Sequence, residues 1–249
     1  MSGHDVTSAR VVVLEDGEAV AQKMAQWLLD QALAKTDGPF VMALSGGSTP
    51  KRLFKIMAEP GYASKFPWRR THIFFGDDRH VPFTHEDSNY RMTDELLLEH
   101  VDLPAENAHP IPADGTAEQD AVWYQNALQD LYGSHHLTPG KPLFDVVMLG
   151  MGPDGHTASL FPRQPILQEK TKWVAACTPD NAPHDRVSLT YPAIHSSHSV
   201  VFLIEGAGKA EMLARVRGGD DSLPASHITS EGEVVFLVDK AAAGELQNG

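Results

Sequence analysis

Runs of consecutive apolar residues alternate along the chain with segments in which apolar residues recur every three or four positions. The runs predict eight β-strands, at residues 9–15, 39–45, 71–77, 144–150, 172–178, 186–191, 199–205 and 233–239. Several runs, such as FDVVMLG and SVVFLIE, are dominated by Val, Ile, Leu and Phe. This composition is typical of strands that are buried on both faces of a parallel sheet.

The segments between the strands predict helices. The first has one apolar helical face, formed by Val20, Met24, Trp27 and Leu28. A later segment has a similar face, formed by Ala117, Ala121, Tyr124, Leu128 and Leu131. We expect Asp37-Gly38 to close the first helix and Ser88 to cap another that runs through SNYRMTDELLLEHV.

Strand–helix alternation over the whole length predicts a three-layer α/β fold, with a mainly parallel sheet flanked by helices. The chain has 249 residues, enough for a sizeable core. It contains no internal repeat, low-complexity segment or convincing linker, so we expect residues 1–249 to form a single domain. The Pro-rich stretches at 102–115 and 134–142 are predicted to be surface loops.

Composition narrows the classes of function. No apolar run reaches the 18 residues of a transmembrane helix, and the N-terminal stretch does not resemble a signal peptide, so we expect no membrane association. The one cysteine, Cys177, lies in the apolar run WVAAC and suits a buried position in a reducing cytoplasm. A net charge of -13 argues against nucleic-acid binding, and an anionic ligand would need a local cluster of basic residues.

Ligands of open α/β sheets bind beyond the carboxyl ends of the strands, so we expect the site residues in the loops that follow strands. The strand at 39–45 leads into LSGGSTP, which places Gly46, Gly47, Ser48 and Thr49 at the start of a helix. Glycines let a ligand approach the backbone, and the free N–H groups of a helix start attract anions. The same pattern also suits a plain glycine turn with a Ser or Thr cap.

The strand at 71–77 ends in GDDRHVP, which brings Asp77, Asp78 and Arg79 to the same edge, with Arg91 on the helix that follows. An arginine can hold a phosphate through two parallel N–H bonds. The alternative is a solvated charge cluster with an Asp–Arg surface pair.

The strand at 144–150 leads into GMGPDGHTASLFP, in which Asp154 and His156 are two residues apart. A neutral imidazole can take a proton from water, and a nearby carboxylate can orient it. The alternative interpretation is a turn aspartate beside an exposed histidine, with no catalytic role. His-x-x-x-His and Cys-x-x-Cys pairs are absent, so no structural metal site is expected.

Two further basic residues flank strands. Lys209 follows the strand at 199–205 and lies in the first turn of a helix. A cation at this position is unfavourable because it opposes the helix dipole, which suggests that Lys209 binds an anion. An exposed lysine on a helix face is the alternative. Arg186 precedes the strand at 186–191, so it is either an edge residue or reaches the site through a reversed strand.

The motifs LSGGSTP, GDDRHVP with SNYRM, FDVVMLGMGPDGHTASLFP, RVSLT and EGAGKAEML occur in an order that resembles 6-phosphogluconolactonases, in the glucosamine-6-phosphate isomerase/6-phosphogluconolactonase family. The resemblance extends from about residue 10 to about residue 240. One departure is Asp78, where these lactonases usually carry glutamate within Asp-Glu-Arg.

The resemblance implies a Rossmann-like sandwich that hydrolyses 6-phospho-D-glucono-1,5-lactone to 6-phosphogluconate in the oxidative pentose phosphate pathway, with no cofactor or metal. It implies His156 as the general base and Asp154 as its partner. The substrate phosphate would be bound by the following residues: Gly46, Gly47, Ser48, Thr49, Arg79, Arg186 and Lys209.

Two other functions fit this kind of fold, an amino-sugar-phosphate enzyme and a non-enzymatic sensor. An amino-sugar-phosphate deaminase or isomerase of the same family pairs the histidine with a glutamate before the proline, and here that position is Phe161. A non-enzymatic sugar-phosphate sensor would not need the Asp-Gly-His loop, and this acidic chain has no spare basic helix-turn-helix segment.

Overall fold

The computed structural model describes residues 4–180 and 182–244. The strands are β1 His4–Asp5, β2 Arg10–Leu14, β3 Phe40–Leu44, β4 Thr71–Phe75, β5 Asp77–Arg79, β6 Phe144–Leu149, β7 Val174–Cys177, β8 Arg186–Leu189, β9 Ser197–Ile204, β10 Thr229–Ser230 and β11 Glu233–Asp239. The helices are α1 Gly17–Ala34, α2 Ser48–Ala58, α3 Pro60–Ala63, α4 Asn89–Leu96, α5 Ala117–Tyr132, α6 Tyr191–His195, α7 Ala210–Arg217 and α8 Lys240–Ala243.

The main sheet has six strands in the order β2-β11-β9-β6-β3-β4, and every neighbouring pair is parallel. Helices flank it, and β3, which lies next to the edge strand β4, is buried along its whole length. This confirms the three-layer α/β prediction. The continuous apolar runs form these strands because both faces of the sheet are covered and no position needs to be polar.

A second sheet of three antiparallel strands, β5-β8-β7, was not predicted. The chain leaves the main sheet at Gly76. The Gly76 N–H donates to the Leu44 carbonyl, and the Gly76 carbonyl accepts from the Leu189 N–H. Residues 77–79, predicted as the end of the strand at 71–77 and the start of the loop after it, therefore pair with β8. The runs at 172–178 and 186–191 form strands as expected, but in this smaller sheet rather than in the parallel one.

The strand reversal decides where Arg186 lies. Because β8 is antiparallel to β5, Arg186 stands directly opposite Arg79. Of the two alternatives that the sequence left open, the strand is the reversed one, and it brings Arg186 beside Arg79.

Helix ends follow the expected chemistry, with small differences. Ser88 caps α4 by accepting from the Arg91 N–H at 3.1 Å, but α4 ends at Leu96 and a 3₁₀ turn follows. The first helix, α1, ends at Ala34, before the predicted Asp37-Gly38 stop. Tyr124 on α5 hydrogen-bonds both backbone groups of Phe75 and so holds the end of β4 just before the site.

The core is formed by the main sheet and the buried faces of its helices. Cys177 is buried in it, as predicted. Among residues 4–180 and 182–244, every helix is too short or too polar to span a membrane.

Candidate active site

Loops that follow four parallel strands, β3, β4, β6 and β9, surround one cavity at the carboxyl edge of the main sheet. Its volume is about 260 Å³. The predicted residues that line it are Gly46, Gly47, Ser48, Thr49, Asp77, Arg79, His156 and Lys209. The topological rule applied to the sequence therefore predicted which loops border this cavity.

The loop after β3 exposes backbone donors. Gly47 is the N-cap of α2, with φ 116° and ψ -178°, a conformation open essentially to glycine alone. No Ser or Thr side chain caps this helix. Within the described part of the chain, the N–H groups of Ser48 and Thr49 have no hydrogen-bond acceptor. A glycine N-cap with free N–H groups favours an anion site over a plain capped turn.

Two arginines meet beside this loop. Arg79 donates to the Asp87 carbonyl at 2.6 Å, and Arg186 donates to the His184 carbonyl at 3.0 Å. Burial, together with the nearby charge of Arg79, lowers the pKa of Arg186. In the described residues neither guanidinium forms an ion pair. Two adjacent cations without carboxylate partners are suited to bind a polyanion.

The adjacent aspartates of β5 have different environments. Asp77 lines the cavity, and its Oδ2 accepts from the Ser159 hydroxyl at 2.6 Å. Asp78 is only 3% exposed and does not line the cavity. It accepts from the backbone N–H groups of Arg79, Asn89 and Tyr90 at 2.8, 2.7 and 3.0 Å. Asp78 therefore fastens the start of α4 to β5.

The protonation of Asp78 reflects two opposing effects. Burial raises its pKa to about 6, while the backbone N–H bonds from Asn89 and Tyr90 act to lower it. Because Asp78 is buried and its oxygens accept backbone N–H groups, we expect it to support the segment that carries Arg79 rather than to contact a ligand.

His156 and Asp154 form a hydrogen-bonded pair. His156 Nδ1 lies 2.6 Å from Asp154 Oδ1, which also accepts the His156 backbone N–H at 3.1 Å. Burial acts to raise the pKa of Asp154, but the hydrogen bonds from His156 outweigh it and the pKa is lowered. The carboxylate can only accept, so Nδ1 carries the proton and Nε2 retains a free lone pair. An imidazole in this tautomer can act as a base through Nε2.

Close packing fixes the His156 ring. It lies against Phe161, with ring centroids 4.4 Å apart. On its other side is Gly152, where an added Cβ would lie 2.1 Å from the ring atoms Cε1 and Nδ1. Only glycine at 152 leaves room for the ring in this position.

Lys209 reaches the cavity from the loop after β9. It ends a 3₁₀ turn, Ala207–Lys209, directly before α7, and its Nζ donates to the Met151 carbonyl at 2.8 Å. The loop is held by Asp239, the last residue of β11, whose two carboxylate oxygens each accept from the Gly206 N–H at 3.0 Å. Lys209 has no ion-pair partner in the described residues, like the two arginines.

Four predicted site residues do not line the cavity: Asp78, Asp154, Arg91 and Arg186. Asp154 and Arg186 each touch or adjoin a lining residue, and Asp78 is the buried anchor described above. Arg91 is separate, because it pairs with Glu95 at 2.6 Å and donates to the Thr84 carbonyl.

Sequence reasoning missed several residues that shape the cavity. Glu205 lines it, accepts from Ser48 at 3.1 Å and pairs with Arg52 at 2.7 Å. It is the last polar residue of the run SVVFLIE, so the strand-end rule that found Lys209 could have found it. Asn89, which donates to the Asp77 carbonyl, and Asp239 give no signal of this kind, since they act on backbone groups brought near by the fold.

The fold and cavity define an α/β protein with a cluster of basic side chains and free backbone N–H groups beside a histidine–carboxylate pair. The family model for glucosamine-6-phosphate isomerases/6-phosphogluconolactonase matches residues 15–236. The chain belongs to this family.

Individual relatives agree with this assignment. The chain is 41% identical to a 6-phosphogluconolactonase of Nostoc sp., over 95% of this chain and 98% of that protein. It is 35% identical to 6-phosphogluconolactonase 3 of Arabidopsis thaliana, named as chloroplastic, over 95% of this chain and 75% of that protein. The solved 6-phosphogluconolactonase from Thermotoga maritima is 31% identical, with a TM-score of 0.77 over 93% of this chain and 99% of that one.

Proposed function

We propose that this protein hydrolyses 6-phospho-D-glucono-1,5-lactone to 6-phosphogluconate, as a carboxylic ester hydrolase of the oxidative pentose phosphate pathway. One observation carries the proposal: basic side chains without carboxylate partners, Arg79 and Lys209, line the same cavity as His156. Such a site suits a substrate with a phosphate at one end and an electrophilic carbonyl at the other. The names of the relatives support the same substrate.

The phosphate binds between the loop after β3 and the paired arginines. Ser48 and Thr49 supply backbone N–H groups, Arg79 and Arg186 supply guanidinium donors, and Lys209 supplies charge. Each cation now donates to a main-chain carbonyl, so its remaining N–H groups are available to the ligand. Holding the distant phosphate positions the lactone ring for attack, which lowers the barrier by fixing the reacting groups.

The chemical step uses His156 as a general base. Nε2 takes a proton from water while the water oxygen bonds to C1, and Asp154 stabilises the imidazolium through Nδ1. The tetrahedral intermediate then collapses as the bond from C1 to the ring oxygen breaks, and the imidazolium returns the proton to that oxygen. A general base contributes about 10²–10⁴-fold to such a reaction.

The developing oxyanion needs hydrogen-bond donors. The N–H groups of Gly152 and Gly155 are already used inside their own loop, by the carbonyls of His156 and Gly152. We therefore assign this role to the loop after β3, where Gly46 and Gly47 line the cavity. Asp77, held by Ser159, remains to accept a sugar hydroxyl.

The rival reaction of this family, deamination or isomerisation of an amino-sugar phosphate, lacks a necessary group. In that reaction the histidine is paired with a glutamate. In this chain Phe161 occupies the position of that glutamate, and its ring packs on His156. A phenyl ring cannot carry a proton.

The proposal extends to the domain organisation, the location and the partners of the protein. Residues 1–249 act as a single domain in the cytoplasm, on a small sugar-phosphate lactone and with no nucleic-acid or membrane partner. The buried single cysteine suits a reducing compartment, and a net charge of -13 disfavours nucleic acid.

Two parallel assays test the proposal. One follows acid release when the lactone is generated from glucose 6-phosphate by its dehydrogenase and NADP, and the other follows ammonia release from glucosamine 6-phosphate. We expect the protein to accelerate the first well beyond spontaneous hydrolysis and to give no ammonia. Ammonia release, or a lactone decay that matches the protein-free rate, would overturn it.

A further inference from the structure

Two histidines and an aspartate lie together beside the paired arginines and have no part in the reaction proposed above. They are His85 and Asp87, in the loop before α4, and His184, in the loop before β8. Their nearest ligand atoms all lie within 4.8 Å of one another. His184 Nε2 is 3.1 Å from Asp87 Oδ2, and His85 Nδ1 is 3.9 Å from the same oxygen.

These distances suit a small divalent cation. Zn²⁺ binds nitrogen and oxygen at about 2.0–2.1 Å in a tetrahedron, which places neighbouring ligand atoms about 3.4 Å apart. The separations of His184 Nε2 and His85 Nδ1 from Asp87 Oδ2, 3.1 and 3.9 Å, lie about 0.3 and 0.5 Å either side of that value, and the two histidines, whose ligand atoms are within 4.8 Å of each other, would have to close slightly around the ion. Two imidazoles and one carboxylate form a ligand set that zinc and related transition metals use, with an open position for water. All three side chains are partly exposed, so an ion can enter from solvent.

A bound metal would replace one hydrogen-bond partner of each imidazole. His85 Nδ1 accepts the backbone N–H of Asp87 at 3.1 Å, so this nitrogen is unprotonated and its lone pair faces Asp87. A bound cation would take this lone pair in place of the N–H. His184 Nε2 lies against a carboxylate that can only accept, so it carries a proton, which metal binding would release to water.

The backbone holds these side chains in place. His184 has a left-handed φ of 67°, uncommon for a residue other than glycine. In this conformation its carbonyl meets Arg186, while its ring faces Asp87. The carbonyl of Asp87 in turn accepts from Arg79. The cluster thus joins the two loops whose carbonyls hold the arginines.

We propose that His85, Asp87 and His184 form a binding site for a divalent transition-metal ion of the zinc class, which cross-links the loop before α4 to the loop before β8. The expectation of no structural metal rested on local spacings, and Asp87 and His184 are 97 residues apart. The ion is a structural clip, outside the chemistry assigned to His156.

The test uses untagged full-length protein freed of metal with a chelator, because a histidine tag would bind the same ions. Zn²⁺ binding is measured by titration calorimetry for wild type, Asp87→Asn and His184→Ala, and Co²⁺ is added separately to record its visible spectrum. His198→Ala is the matched control, since His198 is exposed at the opposite, amino end of β9.

We expect wild type and His198→Ala to bind one tight equivalent of Zn²⁺, with Co²⁺ bands typical of a tetrahedral site. Asp87→Asn and His184→Ala should bind about 10–100-fold more weakly or worse, the loss seen when even a supporting residue of a metal site is removed. Because asparagine has nearly the same shape as aspartate, Asp87→Asn still tests the carboxylate as a metal ligand if His184→Ala folds poorly. No tight equivalent in wild type, or equal affinity in Asp87→Asn, would overturn the proposal.

Discussion

Arg79 and Arg91 belong to the same stretch of sequence but have different environments. Arg79 lines the cavity without an ion pair, whereas Arg91 pairs with Glu95 on the surface of α4. The Arg79→Ala change removes a charge-assisted contact worth about 1.5–3 kcal/mol, so KM for the phosphorylated lactone should rise roughly 10–100-fold. Slow hydrolysis of unphosphorylated gluconolactone should change little, and steady-state kinetics on both substrates checks this.

Arg91→Ala is the control for that experiment. An exposed pair four residues apart on a helix contributes only about 0.3–0.5 kcal/mol, so both substrates should be processed almost as by wild type. Equal losses of activity on the two substrates in Arg79→Ala would contradict a phosphate-binding role and point to a role in the chemistry.

Asp78 predicts a pH dependence of stability. Its pKa is raised from 3.8 to about 6 in the fold, so its stabilising contribution is complete below about pH 4 and is lost as the pH rises through 6. The loss amounts to about 3 kcal/mol at 1.36 kcal/mol for each unit. The neutral Asp78→Asn variant lacks this titration. Urea unfolding should therefore favour wild type over the variant more at pH 4.5 than at pH 7.5.

The comparison across pH removes the constant effect of exchanging one carboxylate oxygen for an amide. A stability difference that stays the same, or that grows toward pH 7.5, would mean that the bonds from Asn89 and Tyr90 keep Asp78 ionised in the fold.

At the level of elements, Asp239 links two parts of the structure. It caps α8 through the Ala242 N–H at 2.7 Å and holds the Gly206 N–H of the loop that carries Lys209. Asp239→Ala should cost about 0.5–2 kcal/mol for the lost cap. It should also raise KM for the phosphorylated lactone, because the loop is released.

The readouts for Asp239→Ala are denaturant unfolding and steady-state kinetics. Asp239→Asn serves as the control, because Oδ1 accepts from both the Ala242 and the Gly206 N–H groups and an amide oxygen in its place should recover much of both properties. Lower stability with an unchanged KM would show that the loop keeps its place without Asp239.

The strands were predictable because each of the eight apolar runs forms one, within a few residues at its ends. Their assignment to sheets was not predictable in full. Residues 77–79 carry a polar sequence, Asp-Asp-Arg, and become a strand only because β8 offers them a partner. Strand pairing of this kind depends on distant residues and leaves no local pattern.

At the scale of the whole molecule, an occupied site should stabilise the fold. The product 6-phosphogluconate, at about 100 times its Kd, should add about 2.7 kcal/mol to the free energy of unfolding. For a chain of this size that corresponds to a rise in Tm of roughly 5–10 °C. Differential scanning calorimetry with 6-phosphogluconate, and with gluconate as the unphosphorylated control, measures the effect.

Gluconate should leave Tm almost unchanged, and Arg79→Ala should lose most of the shift with 6-phosphogluconate. The same shift with both ligands would contradict a site in which the phosphate provides the affinity.

The position of the site was predictable because parallel strands bring their carboxyl ends to one edge, and His156, Arg79 and Lys209 each follow such a strand. Candidate site residues in the loops after parallel strands can therefore be selected from the sequence alone. The supporting groups do not, since Asp78 and Asp239 bind main-chain N–H groups and their partners are known only from the folded chain. Arg186 depended on the direction of one strand, which the sequence left open.

The most direct test of the central claim is the turnover of His156→Ala on 6-phospho-D-glucono-1,5-lactone, measured as kcat and KM separately. If the imidazole takes the proton from water, kcat should fall by about 10²–10⁴-fold. KM should stay within a few-fold of wild type, since the phosphate contacts remain. A kcat close to that of wild type would contradict the account.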